Sequence, residues 1–238
     1  METYRFPDKS PALWTRFPFR DRIHNMEPII LASGSLRRQE YFKLLGLPFS
    51  ILPAEIDESQ INYTNPLKLT SELSKRKVEK AIEVMKDRLP KWICGADTVI
   101  TLEDKIFGKP SSREEAAAML KDLSGRQHKV VTSVALYNGY EKKIDCRGAS
   151  CTVNFAPLTD REIDWYLNTN EWQGVAGAYR IQGLAGFFIT QIKGSPSTVM
   201  GLPLPEFYVM LKDNGYPYGT AEFPPPYELG ARSLDGEI

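Results

Sequence analysis

Near the start of the chain, hydroxyl and guanidinium side chains follow an apolar run. Residues 28–33 predict a buried strand, and the chemistry-bearing residues of the turn after it are Ser33, Ser35, Arg37 and Arg38. Free N–H groups at the start of a helix attract anions, and arginine binds phosphate through two parallel hydrogen bonds. The turn therefore predicts a phosphate-binding site. A serine-capped turn with two solvated arginines explains these residues equally well, because the segment matches neither a Walker A loop nor a Gly-x-Gly-x-x-Gly motif.

A second candidate is an aspartate within an apolar segment. Residues 92–102 predict a strand in which Asp97, followed by Thr98, is the only charged residue. A carboxylate at the end of a buried strand is costly unless it is paired or binds a metal, and ligands of α/β sheets gather at the carboxyl ends of strands. We therefore expect Asp97 to hold Mg²⁺ or to orient a water. An aspartate that only caps a turn is the alternative.

Two lysines add positive charge to these candidates. Lys109 lies in a Gly-Lys-Pro turn, and Lys77 lies on a predicted helix beside three other basic residues. The ordinary explanation for both is a solvated surface lysine.

A fourth candidate is the glycine- and alanine-rich segment 176–186. Its small residues would let the backbone approach a flat ligand closely, and the amide of Gln182 both donates and accepts, which suits the edge of a pyrimidine base. Tight packing of a loop against the sheet is the alternative. Among the acidic residues, Glu40 on the first predicted helix and Glu58 after the second strand are surface residues by default.

The elements that must position these residues alternate along the middle of the chain. Short apolar runs predict strands over 28–33, 49–52, 92–102, 129–137, 149–155 and 187–192. Helical spacing and capping residues predict helices over 36–45, 66–88, 112–123 and 159–168, and one that begins at Pro203. Interleaved strands and helices are typical of an α/β or mixed α+β domain.

Composition limits the function further. Thirty Lys and Arg balance thirty Asp and Glu, which argues against nucleic-acid binding. An odd number of cysteines without a Cys-x-x-Cys pair favours a reducing compartment, and the chain shows neither a long apolar segment nor a signal peptide. We therefore expect a cytoplasmic protein that does not bind a membrane. Residues 1–27 predict a loose extension and residues 214–238 a Pro-rich, irregular tail.

Several of these segments together resemble the Maf family of nucleoside-triphosphate pyrophosphatases. The resemblance spans residues 28–213 and includes, in order, the motifs Leu-Ala-Ser-Gly-Ser-Leu-Arg-Arg, Ile-Asp-Glu, Gly-Ala-Asp-Thr, Gly-Lys-Pro, Leu-Ser-Gly, Ala-Gly-Ala-Tyr-Arg-Ile-Gln-Gly and Val-Met-Gly-Leu-Pro-Leu. Two positions depart from the family pattern. Leu36 stands where proline is usual, and Arg180 replaces a glycine and adds a charge beside the expected base pocket.

The resemblance implies cleavage of a nucleoside triphosphate between its α- and β-phosphates, with a divalent cation, Mg²⁺ or Mn²⁺. It implies Asp97 as general base, and the combination of Arg37, Thr98 and Gln182 is similar to the subgroup that prefers dTTP and UTP; a related subgroup that acts on 7-methyl-GTP carries other residues there. The implied fold is a long twisted mixed sheet flanked by helices, similar to inosine triphosphatases, with the nucleotide in a central cleft between two lobes.

These inferences combine into one hypothesis, in which Asp97 is the base or a metal ligand and Glu40 and Glu58 are the other metal-side carboxylates. The substrate would be held by Ser33, Ser35, Arg37, Arg38, Lys77, Thr98, Lys109 and Gln182. Two rivals stay open: a nucleotide-binding regulator of cell division with incidental turnover, and an enzyme that removes inosine or xanthosine triphosphate. The oligomeric state is also open, with a homodimer as one option.

Overall fold

The computed structural model describes residues 26–56, 63–86 and 89–218. The chain divides into two units, and the one described here runs from Glu27 to Tyr216. Most of the predicted extension 1–27, most of the predicted tail 214–238 and the candidate Glu58 lie outside the described residues. The domain boundaries expected at these positions stay predictions.

The described residues form a mixed sheet with helices packed against it. The strands are β1 (Ile29–Leu31), β2 (Phe49–Ile51), β3 (Trp92–Leu102), β4 (Lys105–Phe107), β5 (Gln127–Asn138), β6 (Lys143–Phe155) and β7 (Ile189–Lys193). The helices are α1 (Leu36–Leu44), α2 (Pro66–Met85), α3 (Arg113–Leu123), α4 (Asp160–Leu167), α5 (Pro196–Val199) and α6 (Leu204–Asp213), with short 3₁₀ helices at Ala176–Ala178 and Leu184–Phe188.

The sheet changes from parallel to antiparallel at β3. Its order is β2-β1-β3-β5-β6-β7, and β4 pairs only with β3. Strand β1 is parallel to both of its neighbours, because α1 and α2 carry the chain back between the parallel strands. From β3 onwards each strand is antiparallel to its neighbour, in the order β3, β5, β6 and β7. The predicted mixed sheet flanked by helices is confirmed.

Local sequence explains where most helices begin. The Asn65 side chain accepts hydrogen bonds from the first turn of α2, and Pro66 occupies that turn. Thr159 and Glu162 form a full capping box for α4. Helix α3 has only part of such a box, because Ser112 Oγ accepts from the Glu115 N–H while the Glu115 carboxylate accepts from Ser111 instead.

Some element bounds differ from those predicted. Strand β6 begins at Lys143 rather than at residue 149, because it pairs along its full length with β5, from Asn138↔Lys143 to Gln127↔Asn154. The predicted strand over 187–192 begins only at residue 189, after a 3₁₀ helix. Pro203 precedes α6 as its N-cap instead of being its first helical residue.

Two hydrophobic clusters lie along the sheet. One contains Leu120, Leu123, Phe155, Tyr166 and Tyr179 together with other residues of α3, α4 and β6. The other joins Val78 and Ala81 of α2 to β1, β3 and β5. Ala176 packs against the first cluster, whereas Ala32 belongs to the second, and both residues line one cavity. The cavity therefore lies where the two clusters meet.

Helix α2 packs unusually close to β3 at Gly95. A Cβ atom on Gly95 would lie 2.7 Å from the backbone oxygen of Ser74 and 3.0 Å from a methyl carbon of Val78. Only glycine therefore allows the helix backbone to reach this position. The close approach sets the distance from α2 to the polar residues that follow Gly95 on β3.

Gly95→Ala is expected to lower the free energy of unfolding by about 1–3 kcal/mol, because α2 must move away from β3. Gly108→Ala is the matched control, since nothing lies within 4 Å of the added carbon. Urea unfolding of both variants measures the difference. Equal stability of the two variants would contradict the close-packing argument.

His128 is a buried core residue of β5. Its Nε2 atom lies 2.8 Å from the Tyr179 hydroxyl oxygen, and its ring packs edge-on against Phe155. Burial lowers the pKa of His128 from 6.5 to about 4. The imidazole is therefore neutral in the folded protein at pH values where it is protonated in the unfolded chain.

This shift predicts a stability loss at mildly acidic pH. Above pH 6.5 both states hold a neutral ring, whereas between pH 6.5 and about 4 only the unfolded state gains a proton. We expect the free energy of unfolding to fall by up to about 3 kcal/mol across this window as the pH decreases. Chemical unfolding at each pH measures it, and His128→Gln should show a correspondingly shallower pH dependence. An unchanged slope in the variant would exclude His128 as the cause.

Candidate active site

A cavity of about 400 Å³ opens beyond the carboxyl ends of β1 and β2, beside β3. Eight residues proposed from the sequence line it together: Ser33, Ser35, Arg37, Arg38, Lys77, Asp97, Thr98 and Lys109. The rest of the lining is Ala32, Gly34, Pro53, Ala54, Glu55, Ile56, Gly174 and Ala176. Side chains that are distant in sequence thus meet at one place, with Arg37 and Asp97 in the same cavity.

Asp97 and Lys77 form an ion pair in this cavity. Lys77 Nζ lies 2.6 Å from Asp97 Oδ1, and each side chain is only 12% exposed. Lys77 therefore does not belong to a solvated basic face. Asp97 also lies inside β3 rather than at a strand end, but the parallel pairing of β3 with β1 stops at Cys94, three residues earlier. This is why Asp97 still reaches the edge where β1 ends.

Arg38 is buried and donates to the protein itself. Its Nε donates to the Gly201 carbonyl at 2.8 Å. Its Nη1 donates to Ser33 Oγ at 2.9 Å, and its Nη2 donates to Thr98 Oγ1 at 3.2 Å. One guanidinium thus ties the turn after β1 to β3 and to the loop before α6. Three of its five N–H donors are used in this way, so Arg38 positions the cavity wall, and the phosphate contact expected from the sequence stays a prediction.

Arg37 has a different environment. Burial, together with the neighbouring charges of Arg38 and Arg180, lowers its pKa from its ordinary value to about 10. No hydrogen bond from its guanidinium reaches another of the described residues. Because several cations crowd around a side chain that has lost much of its water, an anion bound here would relieve both costs. Arg180, the departure noted in the sequence, contributes to this positive potential.

The serines and Lys109 complete the positive side of the cavity. Ser33 Oγ accepts from Arg38 and from the backbone N–H of Ser35, which is the N-cap of α1. Lys109 is exposed, and its ammonium forms no ion pair with the described residues. Lys109 is thus available to an anion that enters from solvent.

Two predicted residues that the structure describes are not brought to this lining, and a third cannot be placed. Gln182 is exposed and lies outside the cavity. Glu40 is exposed on α1, where its charge acts on Arg37, but it does not line the cavity either. Glu58 lies outside the described residues.

The glycines of segment 176–186 serve packing rather than the approach of a flat ligand. A Cβ atom on Gly177 would collide with the Ile100 side chain, and one on Gly183 would collide with the Glu171 carboxylate. Tyr179 is buried in the core between these glycines. These contacts hold the loop in place and leave Gln182 on its outer side.

Two of the lining residues that were not candidates, Gly174 and Glu55, contribute to the shape and charge of the cavity. Gly174 has a positive φ of 69° and open space around it, so it lets the loop turn at the cavity edge. Glu55 is a carboxylate next to the Ile-Asp-Glu motif that the resemblance identified. Its position directly after β2 was the available signal, because loops at the carboxyl ends of parallel strands carry ligands.

The described residues contain no group of three His, Cys, Asp or Glu side chains arranged to hold a metal ion. Among the residues that the structure describes, Asp97 and Glu55 are the carboxylates of the cavity lining. Mg²⁺ keeps several of its waters and commonly binds through one or two carboxylates plus the phosphates of a ligand. The lining therefore fits a cation that enters with a phosphorylated ligand better than a resident ion held by protein alone.

A mixed sheet that gathers a helix N-terminus, several cations and a buried carboxylate around one cavity defines an anion-binding α/β protein. The chain belongs to the Maf family, since the family model described as Maf-like protein matches residues 28–214.

Several similar proteins are named dTTP/UTP pyrophosphatase. The chain is 42% identical over 196 residues to the dTTP/UTP pyrophosphatase of Symbiobacterium thermophilum, covering 82% of this chain and 98% of that one. It is 40% identical to the dTTP/UTP pyrophosphatase of Pelotomaculum thermopropionicum, covering 80% and 98% of the two chains. The protein of that name from Agrobacterium fabrum is 38% identical, with 81% and 95% covered. Within the described ranges, no helix is both long and apolar enough to span a membrane.

The different roles of the two arginines predict different effects on stability. Arg38→Lys is expected to lower the free energy of unfolding by about 2–4 kcal/mol, because an ammonium cannot satisfy three acceptors that lie in the directions of a guanidinium. Arg37→Lys is the matched control and should change it by less than about 1 kcal/mol, since no such hydrogen bonds are lost. Urea unfolding without ligand measures both. Equal losses of stability in the two variants would contradict the different roles of Arg37 and Arg38.

Proposed function

We propose that this protein hydrolyses nucleoside triphosphates to the monophosphate and pyrophosphate, by attack of water at the α-phosphorus. One observation carries the proposal: Arg37, Lys77 and Lys109 meet the buried carboxylate of Asp97 around a single cavity. Membership of the Maf family supports the proposal, and so does the name of its relatives, dTTP/UTP pyrophosphatase.

Asp97 is the proposed general base. Its Oδ1 is held by Lys77, and no described residue bonds Oδ2, which leaves that oxygen to accept a proton from an attacking water. The ion pair fixes the direction of the carboxylate before substrate arrives. A pre-oriented base requires little rearrangement as the water loses its proton.

The cations neutralise the charge of the triphosphate. Arg37 offers a guanidinium that forms no hydrogen bond to the described residues, and Lys109 offers an exposed ammonium at the same cavity. Charge builds up on the transferring group and on the leaving pyrophosphate, so these contacts strengthen towards the transition state. The N–H groups at the start of α1, beside Ser35, add to this effect.

A divalent cation, Mg²⁺ or Mn²⁺, is part of the proposal. Asp97 and Glu55 would hold it together with phosphate oxygens, and the bound ion would supply charge neutralisation and help to orient the phosphates. Of the carboxylates expected from the sequence, Glu40 does not line the cavity and Glu58 lies outside the described residues, so both stay predictions.

We propose dTTP and UTP as substrates, following the names of the relatives. Arg37 and Thr98 of the subgroup pattern line the cavity, whereas Gln182 would have to move with its loop to reach a base. The cytoplasm is the proposed location, supported by three free thiols, Cys94, Cys146 and Cys151. The absence of nucleic-acid binding and the homodimer stay predictions.

Asp97→Asn is expected to lower pyrophosphate release from dTTP and UTP by about 10³-fold or more, because the amide cannot accept the proton of water. A coupled assay for pyrophosphate measures turnover, and circular dichroism checks the fold. Asp104→Asn, in an exposed turn, is the control for loss of a carboxylate. Turnover of Asp97→Asn near that of the wild type would remove the assignment. Nucleotide binding by a wild type that releases no pyrophosphate would favour the regulator hypothesis.

The metal requirement separates the acidic candidates. Glu55→Gln should raise the Mg²⁺ concentration needed for half-maximal turnover by about tenfold, because one carboxylate ligand becomes a neutral amide. Glu40→Gln should leave this concentration nearly unchanged, since Glu40 does not line the cavity. A Mg²⁺ titration of turnover at saturating dTTP measures both variants. The opposite ranking would make Glu40 the metal-side residue.

A further inference from the structure

The hydrogen bonds of Thr98 run in one direction only. Arg38 Nη2 donates to Thr98 Oγ1 at 3.2 Å, and Thr98 Oγ1 lies 2.9 Å from Thr132 Oγ1. Thr132 Oγ1 in turn donates to the carbonyl of Thr198 at 2.7 Å. A guanidinium only donates and a carbonyl only accepts, so the single hydroxyl hydrogen of Thr132 is committed. Thr98 must therefore donate its own hydrogen to Thr132.

The surroundings hold this arrangement in place. Thr98 and Thr132 are directly paired residues of β3 and β5, and Thr132 is fully buried. Gly201, whose φ is 98°, lies on the other side, where an added Cβ would be 3.3 Å from Thr98 Oγ1. Strand register, burial and a glycine thus maintain the order Arg38 to Thr98 to Thr132 to Thr198.

One lone pair is all that Thr98 Oγ1 can offer to the cavity that it lines. Phosphate oxygens are acceptors, so an oxygen that can only accept does not bind them. A part of the nucleotide that bonds Thr98 directly must instead carry a donor, and in a nucleotide these donors are on the base and on the sugar hydroxyls. In uracil and thymine the base donor is N3–H, whereas the corresponding nitrogen of cytosine carries a lone pair.

We infer that Thr132 is a positioning residue that holds Thr98 as a hydrogen-bond acceptor, and that Thr98 thereby selects the N3–H group of a uracil or thymine base against cytosine. The inference rests on the proposed function for the presence of a nucleotide in the cavity. It assigns the discrimination to a buried threonine that does not line the cavity.

The test changes the direction of the Thr98 hydroxyl without changing its position. Thr132→Val removes the acceptor for the Thr98 hydrogen, which can then turn towards the ligand, whereas Thr132→Ser keeps that acceptor. Calorimetry measures the dissociation constants of α,β-imido-UTP and α,β-imido-CTP with each variant, in the presence of Mg²⁺. The preference for the uracil analogue should fall about tenfold in Thr132→Val and return to the wild-type value in Thr132→Ser.

A second measurement needs no variant. Wild-type protein should bind 3-methyl-UTP at least about tenfold more weakly than 5-methyl-UTP, because both carry one added methyl but only the former lacks the N3 hydrogen. This comparison keeps the inference testable if Thr132→Val does not fold.

The outcomes are distinguishable from failure of the proposed function. An unchanged preference in folded Thr132→Val, or equal binding of the two methylated nucleotides, overturns the inference. Equal weakening of the uracil and cytosine analogues overturns it too, because Thr98 would then face a sugar hydroxyl. Absence of pyrophosphate release by the wild type would instead defeat the proposed reaction, while the binding comparison would still decide the role of Thr132.

Discussion

A lysine and an aspartate that are nearly removed from water set the conditions for the rest of this structure. Asp97 alone at its depth would be costly, and Lys77 compensates for that cost only if α2 lies close to β3. The close approach depends on the missing side chain of Gly95 and on packing of Val78 against the sheet. The chemistry of the cavity thus begins with a contact between a helix and a strand backbone.

Strand β3 combines two kinds of sheet in one element. Its first residues are parallel to β1, so the turns that follow β1 and β2 end beside it and supply the cationic wall of the cavity. On its other side β3 is antiparallel to β5 from Trp92 to Thr101, and its later residues extend beyond the pairing with β1, where Thr98 is paired with Thr132. A long strand can therefore place polar residues beyond the end of its parallel pairing, while the side chains on its other face stay in the core.

Patterns local in sequence predicted more of the fold than of the site. The apolar run of β3 and the capping residues of α4 located those elements because strand propensity and capping depend on near neighbours. The full length of β6 was not predictable, since its half-exposed first part is set by pairing with β5. Eight candidates from the sequence motifs line one cavity, but composition could not distinguish Arg38, whose guanidinium bonds the protein itself, from Arg37, whose guanidinium bonds no described residue. Gln182 also shows this limit, because contacts of Gly177 and Gly183 elsewhere in the fold decide which way its loop faces.

The hydrogen bond from Arg38 to Gly201 joins residues 163 positions apart. A wall of the cavity is consequently absent until nearly the whole domain has left the ribosome, so a nascent chain has no complete nucleotide pocket. Long-range closures of this kind slow folding. They also couple ligand binding to folding, because a nucleotide that binds only the folded cavity shifts the folding equilibrium towards the folded state. A ligand that occupies the finished cavity therefore stabilises the whole domain as well as the site.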